Sequence, residues 1–273
     1  MATELTALPL SGPIDLVARL GHGSITVAAR DNLSEALVRL TPPRPDQREI
    51  LERCTVEMQG TTLLVVGPRQ GGWADLLGGW RRNHDGIDAR IDVPSGTALK
   101  ISSASEEITV SGACGDSDIA TSAGRIVLET VTGDLRLRYG RGDSRIAAVT
   151  GSADLASGGG SAHLGEVGGS LRCRFGSGEI DVDVVRGDVQ TRAGSASARL
   201  GAVYGDVDLA FGSGPVQIGL PTGVAAHVDV TTGTGQVHSD LPVEETPVSA
   251  GPTIGVRVRT GAGDIRILRA VPA

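Results

Sequence analysis

Apolar residues recur at a fixed interval of nine through the middle of this chain. One series runs Val110, Ile119, Leu128, Leu137, Ile146, Leu155, Leu164, Cys173, Val182, Thr191, Leu200, Leu209 and Ile218. A companion lies two positions earlier, at Ile108, Ser117, Ile126, Leu135, Ser144, Ala153, Ala162, Leu171, Ile180, Val189, Ala198, Val207 and Val216. A spacing of two puts both series on one side of a short strand. Glycine punctuates the pattern at twice the interval, at Gly115, Gly133, Gly151, Gly169, Gly187, Gly205 and Gly223. A nine-residue strand-turn unit cannot bury its apolar face alone, whereas stacked units can. The pattern therefore predicts an all-β parallel β-solenoid, or β-helix, whose 18-residue coils each contain two nine-residue strand-turn units.

Stacking at the ordinary strand spacing of about 4.8 Å aligns equivalent positions into ladders. Val131, Val149, Val167, Val185 and Val203 read as an inward corner. Gly140, Gly158, Gly176, Gly194 and Gly212 read as the opposite turn, where a side chain is excluded or φ is positive. Tyr139, Ser157, Phe175, Ala193 and Phe211 alternate large with small, as a thin core edge requires if it is not to be overfilled. The outward position Asp118, Arg136, Asp154, Arg172, Gln190, Asp208 alternates in charge, which reads as a solvated strand face. The Asp series Asp116, Asp134, Asp188 and Asp206 reads as turn hydrogen bonding. The first coil spans 19 residues from Gly96 to Gly115, and Glu106-Glu107 reads as its insertion.

Outside the regular block the same grammar weakens. Residues Ser11 to Ala28 read as one more coil, with Ile14, Leu16, Ile25 and Val27 inward. Prolines at 42, 43 and 45 break the chain, and Asp46 to Arg53 reads as a short helix. Strands are predicted over Cys54 to Met58, Thr62 to Val66 and Ile87 to Val93, then over His227 to Thr231, Gln236 to Ser239, Gly255 to Thr260 and Asp264 to Leu268. The excursion from Leu241 to Pro252 lies between them. This describes a single β-solenoid domain over 1–273: irregular N-terminal coils over 1–95, regular coils over 96–223 and closing coils over 224–273.

The composition fits such a chain. Glycine supplies 40 of 273 residues, Phe, Trp and Tyr together only six, and mean hydropathy is +0.03. That is too apolar for disorder, and there is no apolar run of roughly 20 residues to span a membrane. With 25 basic against 32 acidic residues the net charge is −7, so no basic stripe is expected to neutralise a phosphate backbone, and nucleic acid is not an expected partner. The segment MATELTALPL lacks a positive n-region, so a cytoplasmic location is expected. Cys54, Cys114 and Cys173 lack metal or disulfide spacing and read as reduced thiols.

Candidate chemistry is sparse. Trp73, Leu76, Leu77 and Trp80 fall at i, i+3, i+4 and i+7, a single helical stripe; the leading reading is a cap over a coil end, and the alternative, an exposed partner or membrane-surface anchor, makes these four the candidate interaction residues. The rhythm invites comparison with calcium β-rolls, but their metal-ligating Asp slot holds Ile180, Leu135, Ala153, Leu171 or Val207, and an apolar side chain cannot ligate a hard cation. The apolar period of nine argues against hexapeptide acyltransferase helices. Arg141-Gly142-Asp143 is a chance match to a cell-attachment tripeptide. His22, His84, His163, His227 and His238 are dispersed, and no GxSxG, HExxH or Walker A motif occurs. No catalytic residue, metal ligand or cofactor is expected.

The repeated Gly-Asp/Ser-x-x-Leu and Gly-Ser-Gly-x-Ile-x-Val units, together with Arg259-Thr260-Gly261-Ala262-Gly263-Asp264-Ile265-Arg266-Ile267, resemble a known group. They are similar to the bacterial β-strand-repeat domains called Toastrack or "putative adhesin", over nearly the whole chain and including Ile91-Asp92-Val93-Pro94-Ser95-Gly96. The resemblance implies the fold and an association with envelope-stress and phage-shock-like systems, and it transfers no catalytic residues. The leading expectation is a non-enzymatic cytoplasmic interaction or scaffold protein with a protein partner, self-associating through a coil end or the Trp73/Trp80 stripe. A cell-surface adhesin or glycan binder is the alternative, and a groove-bearing polysaccharide-active enzyme ranks below both.

Overall fold

The computed structural model describes residues 4–10, 12–44, 47–68, 86–104, 107–241 and 253–270. The chain divides into two compact units, 1–132 and 133–273, a boundary that falls within the regular block of the repeat. Both are β-solenoids built from stacked, mostly parallel strands.

The first unit contains β1 (Glu4–Pro9), β2 (Asp15–Leu20), β3 (Ser24–Arg30), β4 (Glu35–Thr41), β5 (Thr55–Gln59), β6 (Thr62–Val66), β7 (Asp88–Pro94), β8 (Ala98–Ser103), β9 (Glu107–Cys114) and β10 (Ser117–Val131). The two halves of β10 lie parallel on β8 and β9, which lie on β2 and β3, which in turn lie on β6 and β7. Sequence order and stacking order thus differ: the earlier coil β2/β3 is held between two later ones. Ile14, Leu16, Ile25 and Val27 are all buried in it, as the pattern predicts.

Three antiparallel strands close the outer side of this stack. β4 lies on β7, β1 on β4, and β5 on β6. β5 and β6 are joined by a two-residue turn, and Gly60 supplies its positive φ of 62°. The periodicity identifies neither β1 nor β4, because neither carries the 18-residue repeat.

Two expectations change here. The helix read over Asp46 to Arg53 is a 3-10 helix, Arg48–Arg53, whose N-cap Gln47 makes no side-chain capping bond; β5 begins two residues after it ends. The extra residue of the first coil lies beyond Glu106-Glu107. Arg125 pairs with Glu107 and Leu128 with Val110, both 18 apart, whereas Thr130 pairs with Ala113, 17 apart. The bulge is therefore at Ser111-Gly112, where Gly112 has φ +80° and donates its N–H to Glu129 Oε2 at 2.8 Å.

The second unit contains β11 (Leu135–Val149), β12 (Ala153–Val167), β13 (Leu171–Val185), β14 (Val189–Val203), β15 (Val207–Ser213), β16 (Val216–Leu220), β17 (Ala225–Thr234), β18 (Val237–Ser239), β19 (Thr253–Ala262) and β20 (Ile265–Arg269). β11 through β14 stack in parallel with a constant offset of 18. The expected pair of short strands per coil is here one 15-residue strand, bent in the middle without leaving the ladder. Gly142, Gly160 and Gly178 make the bend, at φ of 126°, 122° and 126°. The ladder Gly140, Gly158, Gly176, Gly194, Gly212 serves a different purpose. A Cβ on Gly158 would lie 2.6 Å from the carbonyl oxygen of Gly140, so these glycines admit the neighbouring coil's backbone.

The core is the stack of inward ladders. Val149, Val167, Val185 and Val203 are buried at one corner. Tyr139 and Phe175 meet edge to face across the intervening coil, with centroids 6.3 Å apart, and the small Ser157 occupies the position between them. The alternation of large and small residues thus lets rings two coils apart share one space. Asp134, Ser152, Asp188 and Asp206 accept backbone N–H bonds from Ser152, Ser170, Asp206 and Gly255 at 2.7–3.2 Å, each reaching the next coil's turn.

The closing coils interleave like those of the first unit. β19 and β20 pair on one side with β15 and β16 and on the other with β17 and β18. Residues 225–239 therefore form the outermost described coil, and the later residues 253–269 sit one layer inside it.

Candidate binding face

With an 18-residue coil, positions 136 and 138 generate two adjacent outward columns on one face of the second unit. The first column is Arg136, Asp154, Arg172, Gln190, Asp208, Arg257, Asp229; the second is Arg138, Ala156, Arg174, Arg192, Ala210, Arg259, Thr231. The face carries seven arginines against three aspartates, in a chain of net charge −7. The expectation of no basic stripe is therefore corrected: the overall charge conceals this local excess, which only the stacking of the coils brings together. Alternation holds in the first column, while the second, two residues on in every coil, contains only arginine and uncharged residues.

Each aspartate on the face engages an arginine of the adjoining coil. Asp154 pairs with Arg174 at 3.6 Å, Asp208 with Arg192 at 2.7 Å, and Asp229 with Arg257 at 3.4 Å. Two of these pairs are diagonal, joining the columns. Arg172 Nε donates to Gln190 Oε1 at 3.1 Å. Arg192 grips both carboxylate oxygens of Asp208, a fork that holds the Asp208 carboxyl below its ordinary range and raises the guanidinium.

The second face of this unit carries a smaller cluster. Arg199 Nη1 lies 2.8 Å from Asp181 and 3.8 Å from Asp183, and His163 Nδ1 lies 3.4 Å from Asp181. Beside it is a notch of about 260 Å³ bounded by Glu179, Arg199, Gln217, Asp264 and Arg266, with Ser197 and Pro215 as its short side chains. That is smaller than the roughly 300–1,000 Å³ usual for a small-molecule pocket. In the first unit, Ser24, Asp88, Glu107 and Arg125 line an open depression of about 370 Å³. Ser24 donates both its N–H and its hydroxyl to Asp88 there.

Trp73, Leu76, Leu77 and Trp80 lie outside the described residues, as does His84. Arg141-Gly142-Asp143 lies at a coil bend, where Asp143 accepts the Ser161 hydroxyl at 2.6 Å. The three cysteines are unbridged; burial raises the Cys114 thiol and pushes Cys173 up to about 12. The side chains at the calcium-roll slot, Leu135, Ala153, Leu171, Ile180 and Val207, are buried in the core. Among the described residues no group of three or more His, Cys, Asp or Glu could hold a metal ion, and no helix is long and apolar enough to cross a membrane.

No family model and no curated protein matches the chain. It is similar to solved structures that carry adhesion or lipid-binding descriptions. One is a "putative adhesin" from Bacteroides fragilis NCTC 9343, 12% identical over 97% of both chains, with a TM-score of 0.43. Another is a "Putative lipid binding protein" from Parabacteroides distasonis ATCC 8503, 12% identical over 97% of this chain and 96% of that one, with a TM-score of 0.39. A third is a "putative cell adhesion protein" from Clostridium sporogenes ATCC 15579, 11% identical over 98% of this chain and 99% of that one, with a TM-score of 0.26.

Proposed function

We propose that this chain is a non-enzymatic, adhesin-type interaction module whose arginine-bearing face in the second unit binds an acidic partner, with acidic polysaccharide as the ligand class. The observation that carries this reading is the excess of seven arginines over three aspartates in two strand-borne columns. Guanidinium is planar and pairs bidentately with carboxylate or sulfate, and on a rigid strand it is already oriented. Successive coils offer a guanidinium roughly every 5–10 Å along the stack, so a linear polyanion laid across the strands meets several at once.

The test is retention on immobilised polygalacturonate against neutral dextran, for the wild type and for Arg136→Ser/Arg172→Ser/Arg259→Ser. The expected result is salt-sensitive binding to the acidic polymer alone, lost in the triple variant at unchanged melting temperature. Equal retention on both polymers, or a triple variant that binds as the wild type does, refutes the reading. The same face would suit an acidic protein surface in a cytoplasmic scaffold, a setting compatible with three unbridged thiols. Cell fractionation separates the two: recovery with the envelope supports the adhesin, and recovery in the soluble cytoplasm supports the scaffold.

A further inference from the structure

The outermost described coil of the second unit ends in an unusual edge. β17 is ten residues long and pairs with β19 on one side; among the described residues no strand pairs with its other side. Its inward positions are still those of a core. Val228 aligns with Val256 and Val237 with Ile265, yet Val228 and Val237 are 36% and 47% exposed while Val256 and Ile265 are at 1% and 0%. Natural proteins commonly blunt such edges with proline, lysine or a protective bulge. The segment Ala225-Ala226-His227-Val228-Asp229-Val230-Thr231-Thr232 has no proline or lysine, and its pairing with β19 is unshifted throughout. In the first unit, by contrast, β4 and β5 cover the outer coil β6/β7.

We infer that this edge joins a second copy of the chain, β17 pairing antiparallel with its own equivalent about a two-fold axis through Val228. The pleat and the charges select that register. An axis normal to the strand face keeps inward residues opposite inward residues, so Val228 meets Val228 of the other copy and Val230 meets Ala226. On the outward side His227 comes opposite Asp229 twice, once from each copy, and both residues are exposed. Moving the axis to Asp229 sets carboxylate against carboxylate, and moving it to His227 sets imidazole against imidazole. Among the described residues β19 presents Arg257 and Arg259 on the same side, and Arg257 already lies against Asp229 at 3.4 Å. The same operation stacks terminal coil on terminal coil, which removes Val237 from water as well. The contact is isologous and closes at two copies.

This association is independent of what the arginine face binds. It is tested on the full chain by sedimentation equilibrium from low to high micromolar concentration. The expected result is a reversible shift from 27.9 kDa to twice that mass. Val228→Lys should abolish the dimer without changing the circular dichroism, because the side chain is exposed in the monomer. His227→Asp sets two like-charge pairs and should weaken the dimer by on the order of tenfold, and His227→Asp/Asp229→His should restore it. A single species at 27.9 kDa throughout, open-ended oligomers, a dimer indifferent to Val228→Lys, or a charge reversal that the double swap does not rescue would each overturn the proposal.

Discussion

Replacing Phe175 by alanine tests the account of how the thin core is filled. Phe175 is buried at 4% exposure and presents its ring to Tyr139 across Ser157. Phe to Ala in a core costs roughly 3–5 kcal/mol, depending on how far the surroundings collapse. Collapse is restricted here from three directions. The strands above and below are held in register by parallel ladders. Tyr139 cannot swing into the space, because its hydroxyl donates to the Ser161 carbonyl at 3.1 Å and lies 3.1 Å from Ser144 Oγ. Ser157 is turned to the Gly159 carbonyl at 3.1 Å. The cost should therefore reach the upper half of the range, about 4 kcal/mol, of which the ring pair accounts for about 1 kcal/mol. Urea unfolding followed by circular dichroism measures the first quantity, and a double-mutant cycle with Tyr139→Leu measures the second. A loss below about 1 kcal/mol, or no coupling between the rings, would mean that they do not share a space and that the alternation has another cause.

Two further predictions concern the backbone bend and the arginine face. Gly160→Ala should destabilise by at least roughly 1–3 kcal/mol from its φ of 122° alone, while Gly12→Ala, which meets nothing within 4 Å, should be neutral in the same urea assay; equal effects would refute the assignment of the bend to positive-φ glycine. Because Arg192 lowers the Asp208 pKa in the folded state, the pair's contribution is fully present above the unfolded carboxyl value of about 3.9 and is lost as pH falls through the lower folded value. Both side chains are nearly half exposed, so the effect on stability is at most about 1 kcal/mol. Carboxyl-carbon NMR titration should show Asp208 moving upward in Arg192→Gln, and an unmoved titration would contradict the assignment.

Much of the architecture was legible because a stacked coil repeats its constraints. The valine corner, the ring alternation and the turn aspartates each recur at 18 residues, and each takes its expected place in the second unit. What the period misses are elements that occur once. β1 and β4 cover their unit with antiparallel strands outside the repeat; β4 buries alternate residues like any strand, while β1 is at most half-buried. The stacking order was also illegible. Val228, Val256 and Val207 are interchangeable as inward residues, so nothing local says which coil lies on which. The arginine face was hidden by following charge down a single column. Reading the column two residues on, Arg138, Arg174, Arg192 and Arg259, would have revealed it.

The interleaving of coils in the second unit sets an order of events during synthesis. Residues 225–239 emerge from the ribosome before 253–269, while the layer they finally rest on is still missing. The apolar stripe of 207–220 is then open, and Val228 and Val230 match its spacing as well as Val256 and Val258 do. The native stack therefore requires 253–269 to enter between 207–220 and 225–239, a requirement that a stack laid down in sequence order would not have.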